Sequence, residues 1–187
     1  MRTVFKVILF GEGGVGKTSL LQRAIKQTFD PNMKLTVGVD FAVRDVSLGD
    51  WRATLQLWDL GGQLRFRELV FTYFSGAHLG VAVFDLSNRF SLLQLEKWVK
   101  EFLLTQGPRP VIIIGNKMDL RAATPASASV IVTPEEGLAF AQKYDAAYCE
   151  TSARSGEGVE DLIGKITEVL QERYPEPPDP LEMFRRF

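Results

Sequence analysis

Cysteine and long apolar runs are both scarce in this 187-residue sequence. The single cysteine, Cys149, excludes an intrachain disulfide framework and a cysteine-rich zinc site, and it favours a reducing compartment. Apolar runs such as 111–114 are far too short to cross a bilayer. Residues 1–3 lead directly into a strand-like segment, so no signal peptide is expected. We therefore expect a cytoplasmic domain, with any membrane contact made through partners.

An excess of charge of one sign is missing as well. The 22 Lys and Arg residues against 23 Asp and Glu leave a net charge of −1, which gives no reason to expect a nucleic-acid partner. A hydrophobic content of 45% and a charged content of 24% are typical of a globular chain. A chain of this length buries enough apolar surface to fold without disulfides or metal ions.

Short apolar runs alternate with helical patterns, which predicts parallel strands joined by crossover helices. The runs at 39–48 and 51–58 are separated only by Gly49-Asp50, so they predict a hairpin and one antiparallel edge strand. The fold class is therefore a doubly wound α/β fold: a six-stranded, mostly parallel sheet with helices on both faces, which binds ligands at the carboxyl ends of its strands. The strand-like runs lie at 4–10, 39–48, 51–58, 79–85, 111–115 and 147–150.

Helix signals and helix breakers place the later elements and the domain boundary. Apolar residues at three- and four-residue spacing predict an amphipathic helix over 159–170. The sequence Thr-Pro-Glu-Glu at 133–136 predicts the start of another helix with a capping box. The Ala-, Ser- and Thr-rich segment 121–132 is predicted to be a loop. Four prolines in 175–187 predict a tail, so the domain is expected to span 1–174.

The segment 11–18, Gly-Glu-Gly-Gly-Val-Gly-Lys-Thr, matches the P-loop pattern in full. Its glycines allow consecutive backbone N–H groups to turn toward an anion at a helix N-terminus. Lys17 would supply positive charge to the β- and γ-phosphates, and the Thr18 hydroxyl would bind Mg²⁺. A glycine-rich turn with a solvated lysine is the alternative. The predicted phosphate-binding residues are Gly13, Gly14, Val15, Gly16, Lys17, Thr18 and Ser19.

The sequence Asn-Lys-Met-Asp at 116–119 follows a buried strand and predicts which base is bound. The Asp119 carboxylate can accept hydrogen bonds from the N1–H and the 2-amino group of guanine. Adenine offers neither donor, and the unpaired buried acceptor would cost roughly several kcal/mol. A chance occurrence of the pattern is the alternative. Asn116, Lys117 and Asp119 are therefore predicted to bind guanine.

The sequence Asp-Leu-Gly-Gly-Gln at 59–63 ends another predicted strand. Asp59 would hold Mg²⁺ through a water, as the acidic residue does in other P-loop proteins. The backbone N–H of Gly62 would contact the γ-phosphate, and Gln63 would orient the attacking water. A polar turn after an edge strand is the alternative.

In this order, the three motifs resemble those of small GTPases of the Ras superfamily, and most of all the Rab branch, over nearly the whole of 4–174. The segments 36–41, 55–59, 76–78 and 150–154 also resemble Rab sequences. The resemblance implies the nucleotide-binding G-domain version of the α/β fold, with GTP or GDP and Mg²⁺ as its ligands.

The resemblance also implies further contacts with the nucleotide. Thr36 would bind Mg²⁺ in the GTP state, Phe29 would touch the edge of the base, and the backbone N–H of Ala153 would reach the guanine oxygen. The last guanine-binding loop would consist of Ser152, Ala153 and Arg154. The catalytic residues would be Lys17, Thr36, Gly62 and Gln63, acting mostly by positioning and charge stabilisation.

By the same resemblance, the protein is expected to be a molecular switch that hydrolyses GTP slowly until an activating protein supplies an arginine. Switch I would span about 30–41 and switch II about 59–76, and both would relax when the γ-phosphate leaves. Lys34 is the only cation in the switch I range, so no arginine is expected to act in cis. Activating proteins, exchange factors and effectors are the expected partners of a monomer. The expected effector surface consists of Phe41, Trp58 and Tyr73.

Several residues depart from the Rab pattern. The Leu-Gly-Gly of 59–63 is closer to the Arf pattern, and Leu64 replaces an acidic residue used in nucleotide exchange. The sequence ends without a cysteine to prenylate, and Arg2 replaces the glycine that myristoylation needs. Either the chain is truncated or it is not lipid-anchored by these routes, so no lipid anchor is evident in this chain. The alternative function is an interaction module that binds GTP or GDP with little hydrolysis. A P-loop nucleotide kinase is more remote, because no arginine-rich lid is visible.

Overall fold

The computed structural model describes residues 3–36, 38–62, 72–123 and 131–175. Six strands form one sheet in the order β2-β3-β1-β4-β5-β6. The pair β2 and β3 is antiparallel, and every other neighbouring pair is parallel. The predicted six-stranded sheet with one antiparallel edge strand is therefore confirmed. The strands are β1 (Thr3–Phe10), β2 (Val39–Leu48), β3 (Trp51–Leu60), β4 (Leu79–Asp85), β5 (Val111–Asn116) and β6 (Ala147–Glu150).

Five helices connect or flank these strands within the described ranges. They are α1 (Lys17–Lys26), α2 (Arg89–Gln106), α3 (Met118–Ala123), α4 (Pro134–Gln142) and α5 (Val159–Arg173). The predicted capping box of α4 is present: the Thr133 hydroxyl accepts from Glu136 N, and Thr133 N donates to the Glu136 carboxylate. No helix in the described part of the chain is long and apolar enough to span a membrane.

The predicted loop over 121–132 is wrong at its start, whereas its end at 131–132 lies in neither a helix nor a strand, as predicted. Helix α3 continues to Ala123, because Leu, Arg and Ala are strong helix formers and follow the Asn-Lys-x-Asp sequence directly. At the other end, Val132 is buried and its N–H donates to Leu86 O. The middle of the predicted loop, 124–130, lies outside the described residues, as does 176–187 of the predicted tail.

Two apolar clusters, one on each face of the sheet, form the core. Alternate residues of β1 point to opposite faces, because side chains alternate along a strand. Phe5, Val7 and Leu9 pack with α1 and α5, whereas Ile8 and Phe10 pack with α2. Helices on both faces leave the carboxyl ends of the parallel strands as the edge where a ligand site can form.

The single histidine is part of the packing at the opposite edge of the sheet. His78 Nδ1 accepts a hydrogen bond of 2.9 Å from Lys6 N, and the imidazole ring meets Phe5 and Tyr174 edge-on. Burial, with smaller effects from the nearby charges of Arg109 and Lys6, lowers the pKa of His78 to about 4. The imidazole is therefore neutral in the folded protein at neutral pH.

This buried histidine predicts a loss of stability in mild acid. The imidazole binds a proton near pH 6.5 in the unfolded chain but only near pH 4 in the folded protein. The free energy of unfolding therefore falls by about 3 kcal/mol as the pH drops from 6.5 to 4. The variant His78→Asn keeps an acceptor for Lys6 N but has no titrating ring, so it should lose this part of the pH dependence. Urea unfolding of both proteins across the window measures the difference. If the free energy of unfolding of His78→Asn depended on pH as steeply as that of the wild type, His78 would not be the source of this pH dependence.

Candidate functional site

The loop between β1 and α1 encloses the ammonium group of Lys17. Lys17 Nζ is buried and donates to Gly11 O at 2.9 Å and to Glu12 O at 2.7 Å. Burial lowers the pKa of Lys17 to about 8, although the charges of Asp59 and Glu12 act in the opposite direction. A buried cation held mainly by backbone carbonyls is suited to an anion that enters the loop from outside.

The P-loop is joined to the Asn-Lys-x-Asp sequence by a direct contact. Asn116 Nδ2 donates to Val15 O at 2.8 Å, and a side chain at Gly16 would collide with this amide. Gly16 also has φ of +97°, a left-handed conformation that favours glycine. The glycine at position 16 therefore allows the phosphate loop and the base motif to share one hydrogen bond.

Three oxygen-bearing side chains meet beside the P-loop. The Thr18 hydroxyl lies 2.5 Å from both Asp59 Oδ2 and Thr36 Oγ1. Asp59 is fully buried, and its other oxygen, Oδ1, has no hydrogen-bond partner among the residues that the structure describes. Burial raises the pKa of Asp59, and the hydrogen bond from Thr18 lowers it. An unpaired carboxylate oxygen next to two hydroxyls is a donor set that fits a hard cation.

The chemistry of these donors favours Mg²⁺ over a transition metal. In the ranges that the structure describes, no group of three His, Cys, Asp or Glu side chains is arranged to hold a metal ion. Mg²⁺ usually binds through one or two protein oxygens and completes its shell with water and phosphate oxygens. Thr18, Thr36 and Asp59 fit that pattern.

The end of β3 packs directly on the phosphate loop. A side chain at Gly62 would collide with the backbone of Glu12 and Gly13, so only glycine fits this close approach. The neighbouring Gly61 N donates to Gly38 O at 2.9 Å, which joins the switch II segment to switch I. Gln63 and Leu64 lie outside the described residues, so their roles stay predictions.

The predicted base-binding residues come together on the other side of the P-loop. Asn116 Oδ1 accepts from Thr151 Oγ1 at 3.1 Å and from Ala153 N at 3.3 Å. Asp119 Oδ1 accepts from Ser152 Oγ at 2.6 Å, and its Oδ2 lies 4.0 Å from Arg154 Nη1. The strand end at 116 and the loop after β6 therefore form one hydrogen-bonded unit around the Asp119 carboxylate.

Lys117 is held by a carboxylate from a neighbouring strand. Its Nζ lies 2.8 Å from Asp85 Oδ2, and the other oxygen of Asp85 accepts from Ser87 N at 2.8 Å. Lys117 has a φ of +66°, which is uncommon for a residue with a side chain. The strained backbone and the ion pair together fix where the lysine stem lies.

These groups surround a cavity of about 420 Å³. Of the predicted site residues that the structure describes, all but Val15, Ser152 and Asp59 line it. Val15 and Ser152 are buried, and Asp59 contacts the lining residue Thr18. The lining includes Gly13, Gly14, Gly16, Lys17, Thr18, Ser19, Phe29, Thr36, Gly62, Asn116, Lys117, Asp119, Ala153 and Arg154.

Some lining residues were not identified individually from the sequence. Five belong to the predicted switch I range, where Met33 Sδ accepts from Ser19 Oγ at 3.7 Å. The sixth, Leu120, follows Asp119 directly, and an apolar residue on a short helix carries no signal of its own. The additional residues are Asp30, Pro31, Met33, Lys34, Leu35 and Leu120.

The three aromatic residues of the expected effector surface are in contact. Phe41 stacks on Trp58 with ring centroids 5.5 Å apart, and Trp58 meets Tyr73 at 6.2 Å. Phe41 is 57% exposed, and Lys6 Nζ lies 4.7 Å from the centroid of the Trp58 ring. The cluster lies on the β2–β3 part of the sheet, outside the cavity lining.

Comparison with known proteins agrees with the geometry of the site. The sequence model described as Ras family matches residues 6–172. Ras-related protein Rab-18 of Lymnaea stagnalis is 38% identical over 170 residues, which cover 88% of this chain and 81% of that protein. Ras-related protein RABG3e of Arabidopsis thaliana is 38% identical over 172 residues, or 89% and 82% of the two chains. Ras-related protein Rab7 of Cenchrus ciliaris is 36% identical over 181 residues, which cover 94% of this chain and 86% of that protein.

Proposed function

Because the chain belongs to the Ras family of small GTPases, we propose that the 420 Å³ cavity is its guanine-nucleotide site and that the protein is a Rab-like switch in membrane trafficking. Family membership makes the protein a GTPase that binds guanine nucleotide and changes state on hydrolysis. The alternative of a module with little hydrolysis is not favoured, since the matched relatives are Ras-related throughout.

One observation carries the assignment of the site. A single cavity is lined by the P-loop, the switch I segment, Gly62, the Asn-Lys-x-Asp sequence and the loop after β6. These segments are far apart in the sequence, and each has the chemistry for a different part of the nucleotide. The buried ammonium of Lys17 suits the phosphates, and the carboxylate of Asp119 suits the edge of guanine.

The phosphate end is proposed to hold Mg²⁺ through Thr18 and Thr36, with Asp59 acting through a water. The support is the unpaired Oδ1 of Asp59 beside two hydroxyl groups. When bound, Mg²⁺ supplies positive charge that neutralises the phosphate oxygens. The hydroxyl of Thr36 reaches this point from switch I, so the state of the site is linked to the position of that segment.

The base end is proposed to read guanine through two residues. The Asp119 carboxylate accepts from N1–H and the 2-amino group, and the Ala153 N–H donates to O6. Phe29 lines the same cavity and is proposed to touch the edge of the base. The Ser152 hydroxyl donates to Asp119 Oδ1, and Ala153 N donates to Asn116 Oδ1 over a long distance of 3.3 Å, a bond that guanine O6 would replace or share.

Hydrolysis is proposed to depend on positioning rather than on covalent chemistry. Lys17 neutralises charge, Thr36 and Gly62 contact the γ-phosphate, and Gln63 orients the attacking water. Loss of the γ-phosphate then frees switch I and switch II. We further propose that Phe41, Trp58 and Tyr73 form the effector surface of a monomer; the support for this surface is that the three rings are in contact and that Phe41 is exposed.

The test is the nucleotide that the protein carries and what it does to it. Denaturing the purified protein should release GDP, and single-turnover hydrolysis of GTP should be slow, on the order of 10⁻⁴ to 10⁻³ per second. Gln63→Leu should slow hydrolysis without weakening GTP binding, because it removes only the group that orients water. Release of ADP or ATP would overturn the base assignment. Bound GTP that the protein never hydrolyses would instead favour the interaction module.

A further inference from the structure

The side chain of Arg23 joins α1 to the loop after β6. Its Nε donates to Ala153 O at 2.9 Å, and its Nη2 donates to Arg154 O at 2.6 Å. The remaining nitrogen, Nη1, donates to Gln27 O at the end of α1, also at 2.9 Å. We propose that Arg23 is a positioning residue for guanine recognition, which holds the 153–154 loop so that the Ala153 N–H meets O6 of the base. This inference rests on the proposed function.

All three nitrogens of the Arg23 guanidinium group donate hydrogen bonds to backbone carbonyl oxygens. Among the residues that the structure describes, no carboxylate forms an ion pair with it. The planar fork of an arginine can serve several acceptors at fixed angles, which a lysine cannot do. The arrangement therefore fixes two consecutive carbonyl groups of the base loop relative to one helix.

That helix is the one that begins at the phosphate site. Lys17 and Thr18 start α1, and Arg23 lies farther along the same rigid element. Ala153 is 130 residues away in sequence, so the hydrogen bond connects the two ends of the nucleotide site through a single side chain. A shift of the base loop relative to the P-loop would have to break these bonds.

The inner side of the base loop is held by other groups. Ala153 is buried, and its N–H lies 3.3 Å from Asn116 Oδ1, while Ser152 bonds to Asp119. The bond from Ser152 supports the Asp119 carboxylate without help from Arg23, and the long bond from Ala153 N to Asn116 Oδ1 is the one that O6 of guanine would replace or share. Loss of Arg23 should therefore weaken the contact with O6 more than the contacts with N1–H and the 2-amino group.

The affinities of the full-length protein for GDP, IDP and 6-thio-GDP distinguish the contact with O6 from the contact with the 2-amino group. IDP lacks only the 2-amino group of GDP, and 6-thio-GDP replaces O6 by sulfur, a weaker acceptor. In Arg23→Ala, affinity for GDP and IDP should fall by about tenfold, the value of one hydrogen bond, and affinity for 6-thio-GDP should fall less. The ratio of GDP to 6-thio-GDP affinity should shrink toward one, and the ratio of GDP to IDP should stay at the wild-type value. Competition against a fluorescent GDP analogue measures all three.

A second arginine provides a matched control. Arg44 Nη1 also donates to a carbonyl of α1, Ala24 O, and Arg44 Nη2 pairs with Glu160 Oε2 at 2.7 Å. Neither of these contacts of Arg44 involves the base loop. Arg44→Ala should therefore keep both affinity ratios. Arg23→Lys, whose ammonium can reach one of the carbonyls, should recover part of the O6 discrimination, and it serves as the test variant if Arg23→Ala does not fold.

The outcomes are distinct. An equal loss of affinity for all three nucleotides, or unchanged ratios in both Arg23 variants, would overturn the role of Arg23 and leave the proposed function intact. A wild-type protein that binds GDP and IDP equally well would refute the assignment of Asp119, and with it the proposed base site. A reduced O6 ratio in Arg23→Ala but not in Arg44→Ala would support the inference.

Discussion

Asp119→Asn is expected to change the protein from one that binds guanine nucleotides into one that prefers xanthine nucleotides. The carboxylate is proposed to accept two hydrogen bonds from guanine, whereas an asparagine amide presents one acceptor and one donor. The donor faces the 2-amino group of guanine unfavourably but matches the oxygen that xanthine carries there. Affinity for GDP should fall by about 100-fold or more, and affinity for XDP should rise. The affinities of the wild type and the variant for GDP and XDP measure this change of base preference.

A matched substitution controls for the change from carboxylate to amide. Asp145 lies exposed at a turn with φ of +50°, a conformation that asparagine adopts readily. Asp145→Asn should therefore leave both affinities unchanged. Wild-type affinity for GDP in Asp119→Asn would refute the role of the carboxylate in reading the base.

Lys17→Met is expected to weaken GDP binding by about 100- to 1,000-fold. Methionine keeps the apolar stem and removes the charge that faces the phosphates, and breaking a buried charge pair is worth several kcal/mol. Lys26→Met makes the same chemical change at an exposed position of the same helix, so it should bind GDP normally. Equal affinities in the two variants would contradict the assignment of Lys17.

The pH dependence of binding distinguishes loss of charge from loss of structure at this position. In the free protein the pKa of Lys17 is about 8, and phosphates raise it in the complex because they stabilise the charged form. Binding above pH 8 therefore takes up a proton, and wild-type affinity should fall by about fivefold between pH 8 and pH 9. Lys17→Met should lack this decline. Isothermal titration in buffers of different ionisation enthalpy detects the proton directly.

The contiguous motifs explain why much of the site is predictable from sequence. Lys17 and Thr18 belong to a P-loop whose glycines and flanking elements fix the path of the backbone, so residue type and order suffice. The hairpin around Gly49-Asp50 is equally local, because a two-residue turn sets the register of its strands. Asp119 follows a strand end, which places it at the ligand edge of any parallel sheet.

Other features depend on contacts that no local pattern encodes. Arg23 reaches Ala153 only because α1 and the β6 loop are brought together by the sheet. Val15 and Ser152, which the sequence predicts as binding residues, are buried and do not line the cavity, so their roles toward the nucleotide stay predictions. The composition of 121–132, rich in Ala, Ser and Thr, predicts a loop for the whole segment, but its first three residues, Arg121 to Ala123, are good helix formers and complete α3.

The hydrogen bond between Gly61 N and Gly38 O has a consequence for how sharply the switch changes state. Thr36 and Gly62 would each bind the terminal phosphate weakly if their segments moved independently. Joined to one another, the two segments would behave like a chelating ligand, in which binding by one arm raises the effective concentration of the other. Release of either arm then lowers the occupancy of both. A partner that pulls on one switch segment would therefore detach the other without touching it.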